Sequence, residues 1–210
     1  MGWLTSCDDD ALAAGANVAA IGSELIQFGA VMPLGQGRFR LSRLLRGRGG
    51  TEWASSRHAI DEVFCVIEPG AVQLIQFPTW SLGALATAST QSGASASVWL
   101  SAESLRPPAP VNLTAAIQAT GDLEVSWTRR SRGGWAWIDE VDAPLSETVE
   151  QYRVSLAGAT SAAEFDADQP NLAVAAAVVA GVGTGPATIE IRQIGDFAAS
   201  RPAQLSINIP

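Results

Sequence analysis

A mainly β protein is predicted, with an irregular N-terminal β domain over residues 1–104 and a β-sandwich over residues 107–210. Three observations predict it. Apolar residues alternate with polar or small ones in short segments after residue 110, turn-forming residues separate those segments, and no long stretch repeats with helical period. The 210-residue length suits one large domain or two of about 100 residues each. A composition 47% hydrophobic and 16% charged is that of a globular chain.

The N-terminal half is strand-rich but uneven. An Asp-rich start and high Ala content predict a short helix over Asp8–Ala20. Candidate strands follow at Ser23–Phe28, Arg38–Leu41, Val63–Ile67, Val72–Phe77 and Val98–Leu100. Parity breaks at Arg43-Leu44-Leu45-Arg46, where two apolar neighbours cannot share a face; a bulge or the start of a helical turn is expected there. The polar stretch Ser89–Ser97 reads as a loop between strands. Three prolines in Pro107-Pro108-Ala109-Pro110 offer no ladder donors and hold an extended path, so they mark a linker or the lead-in to a strand.

After the prolines the period of two is regular. Val111, Leu113, Ala115 and Ile117 form one set, Leu123, Val125 and Trp127 a second, and Tyr152, Val154 and Leu156 a third. Ala187–Gly195 and Gln204–Ile209 close the series. The order Pro-x-Pro-x-Asn-Leu, Gly-Asp-Leu-x-Val-x-Trp and Tyr-Arg-Val resembles the fibronectin type III signature. That resemblance implies that Trp127 and Tyr152 pack against each other across the sandwich.

Charge and cysteine usage narrow the classes of function. Net charge is −8 and the pI is near 4.6, which argues against general nucleic-acid binding, since phosphate contacts need positive faces and only the short Arg-rich stretch at residues 38–57 could make them. Cys7 and Cys65 lie far apart without metal-ligand spacing and read as reduced thiols. No secretory signal pattern opens the sequence, and the longest apolar stretch, Leu172–Val182, is too short for a membrane span; synthesis in the cytoplasm and no membrane insertion are expected.

Basic charge is concentrated in one place. Six of the thirteen basic residues fall between Arg38 and Arg57, all thirteen are Arg, and Phe39, Leu41, Leu44 and Leu45 lie among them. Arg beside apolar residues is the composition of protein interfaces, where its planar fork meets carboxylates. Arg43, Arg46, Arg48 and Trp53 are therefore expected to form a protein interface. The plain alternative is a solvated face, because exposed charges about 7 Å apart repel by only roughly 0.6 kcal/mol. Gly47-Arg48-Gly49-Gly50-Thr51 lacks phosphate-loop spacing and reads as a tight turn.

Catalytic signals are absent from the sequence pattern. His58 is the sole histidine and reads as an ordinary loop residue, with no GxSxG or Cys-centred motif to use it. One His and two scattered Cys do not make a zinc site, and Asp8-Asp9-Asp10 and Asp139–Asp142 do not follow a calcium loop. No enzyme activity, catalytic residue, metal or cofactor is expected. Trp135 and Trp137, in the loop region after the Trp127 strand, form a possible surface-binding pair for a sugar or partner protein. They fit equally a fold-back onto the sandwich edge beside Arg129, Arg130 and Arg132.

The landmarks taken together resemble one family. Glu24–Gly29 (ELIQFG), Arg40–Trp53 (RLSRLLRGRGGTEW), Leu105–Pro110, Ser126–Arg130, Pro144-Leu145 and Tyr152-Arg153-Val154 occur here in an order similar to the C-terminal region of tail-tip hub proteins. Those are proteins of siphophages and gene transfer agents. The resemblance implies a structural component of a tail tip or baseplate, located in the virion and serving tail assembly and host attachment. It further implies other hub and distal tail proteins as partners, a homo-oligomer with a trimer favoured, and a host-surface ligand. Members usually carry large domains ahead of this region, so cell-wall hydrolysis by such domains lies outside what the residues imply. The alternative is a host-surface or carbohydrate-binding adhesin module.

Overall fold

The computed structural model describes residues 4–68, 70–73, 75–101, 103–133 and 143–210. The chain is mainly β and divides into two compact units, Met1–Phe77 and Pro78–Pro210. Each has its own core.

In the first unit, α1 (Asp9–Ala13) starts where the Asp8 side chain accepts a hydrogen bond from the Ala11 amide at 2.8 Å. The helix predicted to reach Ala20 stops at Ala13. Gly15 and Asn17 adopt positive φ, and β1 (Val18–Ile21) begins at once. β2 (Glu24–Gly35) and β3 (Arg38–Arg48) form a long hairpin, and β4 (Phe64–Val66) pairs with β1. The antiparallel order is β3-β2-β1-β4. Ala19, Ile26 and Phe28 form the buried core, flanked by Leu4, Ile21, Val31 and Leu41.

The parity break in β3 has two local causes. Arg43 adopts φ 53° across from Gly29, whose missing side chain makes room: a Cβ there would lie 3.2 Å from that of Arg43. Farther on, Leu25 faces Arg48 whereas Gln27 faces Leu45, so β3 carries one additional residue at Arg46-Gly47. Gly47 has φ +62°, and a Cβ would lie 2.6 Å from the Glu52 Cα. Gly47→Ala should therefore cost about 2 kcal/mol, read as a lowered midpoint in chemical denaturation.

Val72–Phe77, predicted as a strand, contains none among the described residues. Val72, Ile75 and Phe77 are exposed, and alternation specifies a strand only where a neighbouring strand completes the ladder.

The second unit opens with a two-stranded hairpin, β5 (Leu85–Ser89) and β6 (Ser95–Trp99), around a turn at residues 90–94. The stretch predicted as a loop thus supplies strand as well, because Thr87 and Ser97 bond across the ladder through their hydroxyls at 2.8 Å. This hairpin groups with the second unit, ahead of the proline cluster expected to divide the domains. The prolines do not separate bodies: Pro107, Pro108 and Pro110 are buried, and the Arg106 guanidinium donates to the Ala199 carbonyl.

The sandwich follows as β7 (Val111–Ile117), β8 (Leu123–Thr128), β9 (Tyr152–Ala157), β10 (Ala162–Ala167), β11 (Asn171–Val174), α2 (Ala176–Val182), β12 (Gly185–Gln193) and β13 (Ala203–Ile209). One sheet runs β11-β8-β7 and the other β10-β9-β12-β13, all antiparallel. The first, second and fifth sandwich strands thus face the third, fourth, sixth and seventh, which is the fibronectin type III arrangement. Leu123, Val125 and Trp127 from one sheet meet Tyr152, Val154, Leu156, Ile189 and Ile191 from the other. Trp127 and Tyr152 contact edge-to-face at 5.0 Å and 73°, as the fibronectin type III resemblance implied.

Candidate functional site

Between Glu24 and Glu52 the sequence has no acidic residue but five Arg, all on β3. The hairpin register decides which of these charges are satisfied. Placing Leu25 opposite Arg48, with the bulge beside it, brings the head of Arg46 onto Glu24 at the start of β2.

Glu24 is the centre of a buried network. Its side chain is 0% exposed. Arg46 Nε donates to both carboxylate oxygens at 2.9 and 3.1 Å, and a terminal nitrogen donates at 2.7 Å. The Gly47 amide donates at 2.7 Å, and His58 Nε2 lies 2.6 Å away. His58 Nδ1 reaches Glu62 at 2.5 Å, so the imidazole bridges two carboxylates. Arg46 also donates to the Ser55 carbonyl at 2.8 Å. Arg46-Gly47 and His58 are thereby tied to one carboxylate, and Ser55 and Glu62 are joined to it through Arg46 and His58, fastening the loop at residues 49–63 onto the sheet.

This arrangement revises the reading of His58, which is a bridging group of the fold, and it pairs Arg46 within the chain while leaving that side chain 41% exposed. Arg43 pairs with the exposed Asp9 at the helix start. Trp53 is half-buried on a 3₁₀ turn, Glu52–Ala54. Arg48 is exposed, and Arg38, Arg40 and Arg48 meet no carboxylate among the described residues. Arg43 and Arg46, 47% and 41% exposed, are paired within the chain, whereas Arg38, Arg40 and Arg48 are exposed without such a pair among the described residues. Trp135 and Trp137 lie outside the described residues.

The hydrogen bond from Arg46 holds the Glu24 carboxyl down at about 2, helped by His58 and the Gly47 amide, while burial opposes. Hydrogen bonding to Glu24, then to Glu62, raises His58 above its usual 6.5. The two shifts have opposite signs. The His58 contribution is fully present below 6.5 and is lost as pH rises through its raised folded value; the Glu24 contribution is present above 4.5 and is lost as pH falls towards about 2. The first unit should be most stable between about pH 4.5 and 6.5. NMR titration of the sole imidazole should give a midpoint above 6.5, and His58→Gln should remove the alkaline decline in thermal midpoint.

Sequence reasoning missed this network because its members are 22 and 34 positions apart. The available signal was Glu24 itself, the nearest acidic residue before an all-Arg stretch. A groove of about 490 Å³ beside α1 is lined by Leu4, Ala11, Val18, Phe28 and Ile67, with Glu68 as its single charged side chain. No cluster of three or more His, Cys, Asp or Glu residues suited to a metal occurs among the described residues. Cys7 and Cys65 are free thiols.

Residues 1–65 match the family model described as Rcc01698-like, C-terminal, a gene-transfer-agent or phage-like family. No curated protein sequence matches the chain. Similar solved structures include one described as "Myokine structure", 15% identical with a TM-score of 0.35, covering 50% of this chain and 98% of that one. The FN5 domain of Drosophila Lar is 12% identical with a TM-score of 0.35, covering 50% of this chain and 97% of that one. Domains d3-d4 of the rat CD45 extracellular region are 9% identical with a TM-score of 0.38, covering 85% and 93%. The matched family stretch contains the whole Arg-bearing hairpin, and by its strand order the second unit is a fibronectin type III-like domain.

Proposed function

We propose that the chain is a structural component of a phage or phage-like tail, in the hub region of the tail tip or baseplate. It acts by assembly and host attachment and not by catalysis. The observation that carries this reading is the match of residues 1–65 to a gene-transfer-agent or phage-like family model. That stretch includes β2 and β3, whose outer half exposes Met32, Leu34, Arg38 and Arg40. Exposed apolar side chains beside unpaired Arg are suited to a carboxylate-bearing protein surface, and the partners are other hub and distal tail proteins.

Replacing Arg38, Arg40 and Arg48 together by Ser should leave the purified chain folded, because none of them holds the Glu24 network. In a producing strain the same variant should be missing from purified particles, as judged by mass spectrometry. Normal incorporation would assign these arginines to a solvated face. Loss of the gene itself should yield tails that lack a complete tip, and intact tails in its absence would remove the reading altogether.

A further inference from the structure

The four sheets among the described residues end in eight edge strands, and charge marks only two of them. β4, β5, β6, β7, β11 and β13 contain no Asp, Glu or Arg. β3 carries Arg38 and Arg40 along its outer half. β10 carries Glu164 and Asp166, and Asp168 continues the alternation just beyond it. One chain therefore presents one basic and one acidic sheet edge.

Both edges have the same two-faced pattern. On β3, exposed Arg38, Arg40 and Ser42 alternate with half-buried Phe39 and Leu41. On β10, exposed Glu164, Asp166 and Asp168 alternate with half-buried Ala163, Phe165 and Ala167. Arg38, Arg40, Glu164 and Asp168 have no ion-pair partner among the described residues, while Asp166 shares Arg153 of β9 at 3.1 Å with both groups exposed. A pairing that sets the guanidinium groups against the carboxylates also sets Phe39 and Leu41 on the side of Ala163 and Phe165. A slip of one residue would spoil both faces together.

Like edges exclude each other. Two β3 strands would place Arg opposite Arg, and two β10 strands carboxylate opposite carboxylate, each destabilising. Opposite charges facing across a strand pair are stabilising, and unpaired edge amides and carbonyls supply the ladder.

We propose that β10 of one copy adds antiparallel to the β3 edge of a second copy, giving a head-to-tail association of this chain. Such a contact is heterologous. It leaves a free β3 on one end and a free β10 on the other, so it continues until a ring closes. Self-pairing uses the same Arg38 and Arg40 that the tail reading offers to other tail proteins, and the two are told apart because self-pairing is tested on the purified chain alone and incorporation on particles.

The test is sedimentation equilibrium of the full chain and of two charge-reversed variants, Arg38→Glu/Arg40→Glu and Glu164→Arg/Asp168→Arg, each shown folded by circular dichroism. The unaltered chain should associate reversibly, more weakly by about tenfold in 0.5 M than in 0.05 M salt. Either variant alone should associate at least about tenfold more weakly, and an equimolar mixture of the two should regain association, because each variant then meets an edge of opposite sign. If a reversal unfolds the chain, Ser at the same positions replaces it, with the same loss expected for each variant alone. The proposal is overturned if the unaltered chain is monomeric throughout, if either variant associates as the unaltered chain does, or if the mixture of folded reversals stays apart. Charges that serve only to keep edges separate would give the first of these results.

Discussion

Glu24→Gln is expected to destabilise the first unit by about 3–5 kcal/mol. The carboxylate is wholly buried and accepts from Arg46 and the Gly47 amide while lying against His58. Removing its charge leaves the Arg46 guanidinium without its counter-charge and His58 with Glu62 alone, and the amide nitrogen of Gln cannot accept the bonds it inherits. Arg43→Ser provides the contrast. Arg43 and Asp9 are 47% and 89% exposed, so that pair should contribute about 0–1 kcal/mol. Urea denaturation of the two variants reads both values. Equal effects would show that burial does not distinguish the two pairs, and the network would lose its structural role.

The second large effect is expected at Tyr152. Tyr152→Ala removes a ring that is 0% exposed and packed edge-to-face on Trp127, leaving a cavity between the sandwich sheets. A loss of about 3–5 kcal/mol is expected. Tyr152→Phe keeps the ring and removes only the bond from the phenol to Glu150 at 2.6 Å, which should cost about 1 kcal/mol. Burial and the neighbouring Glu150 carboxylate raise the phenol above its usual 10, so its ultraviolet titration should begin only well above that pH. A phenol that titrates near 10 would place this ring outside the core.

The sandwich was legible because its strands are half-buried, and half-burial writes itself as alternation. β8 and β9 show it without interruption, since Leu123, Val125 and Trp127 face Tyr152, Val154 and Leu156. α2 was illegible for a matching reason. Its Ala176 amide is capped from a distant loop, by Asp122 at 2.9 Å, so no capping residue precedes it in sequence. In the first unit the core is small and the long hairpin is exposed on its outer half, which leaves the pattern of Val72–Phe77 without a consequence in structure. The site was half legible. The Arg concentration is visible in the residues themselves, but which arginines are internal depends on a bulge at Gly47 and on a register between strands. Both are set by long-range pairing, and composition carries neither.

The place proposed for this chain is a tail tip. Its most direct measurement is labelled electron microscopy of particles that carry a small C-terminal tag on this chain, beside the sandwich strand β13. Label confined to the distal end of the tail is the predicted result. Label on the head, along the tail tube, or absent from purified particles would contradict it.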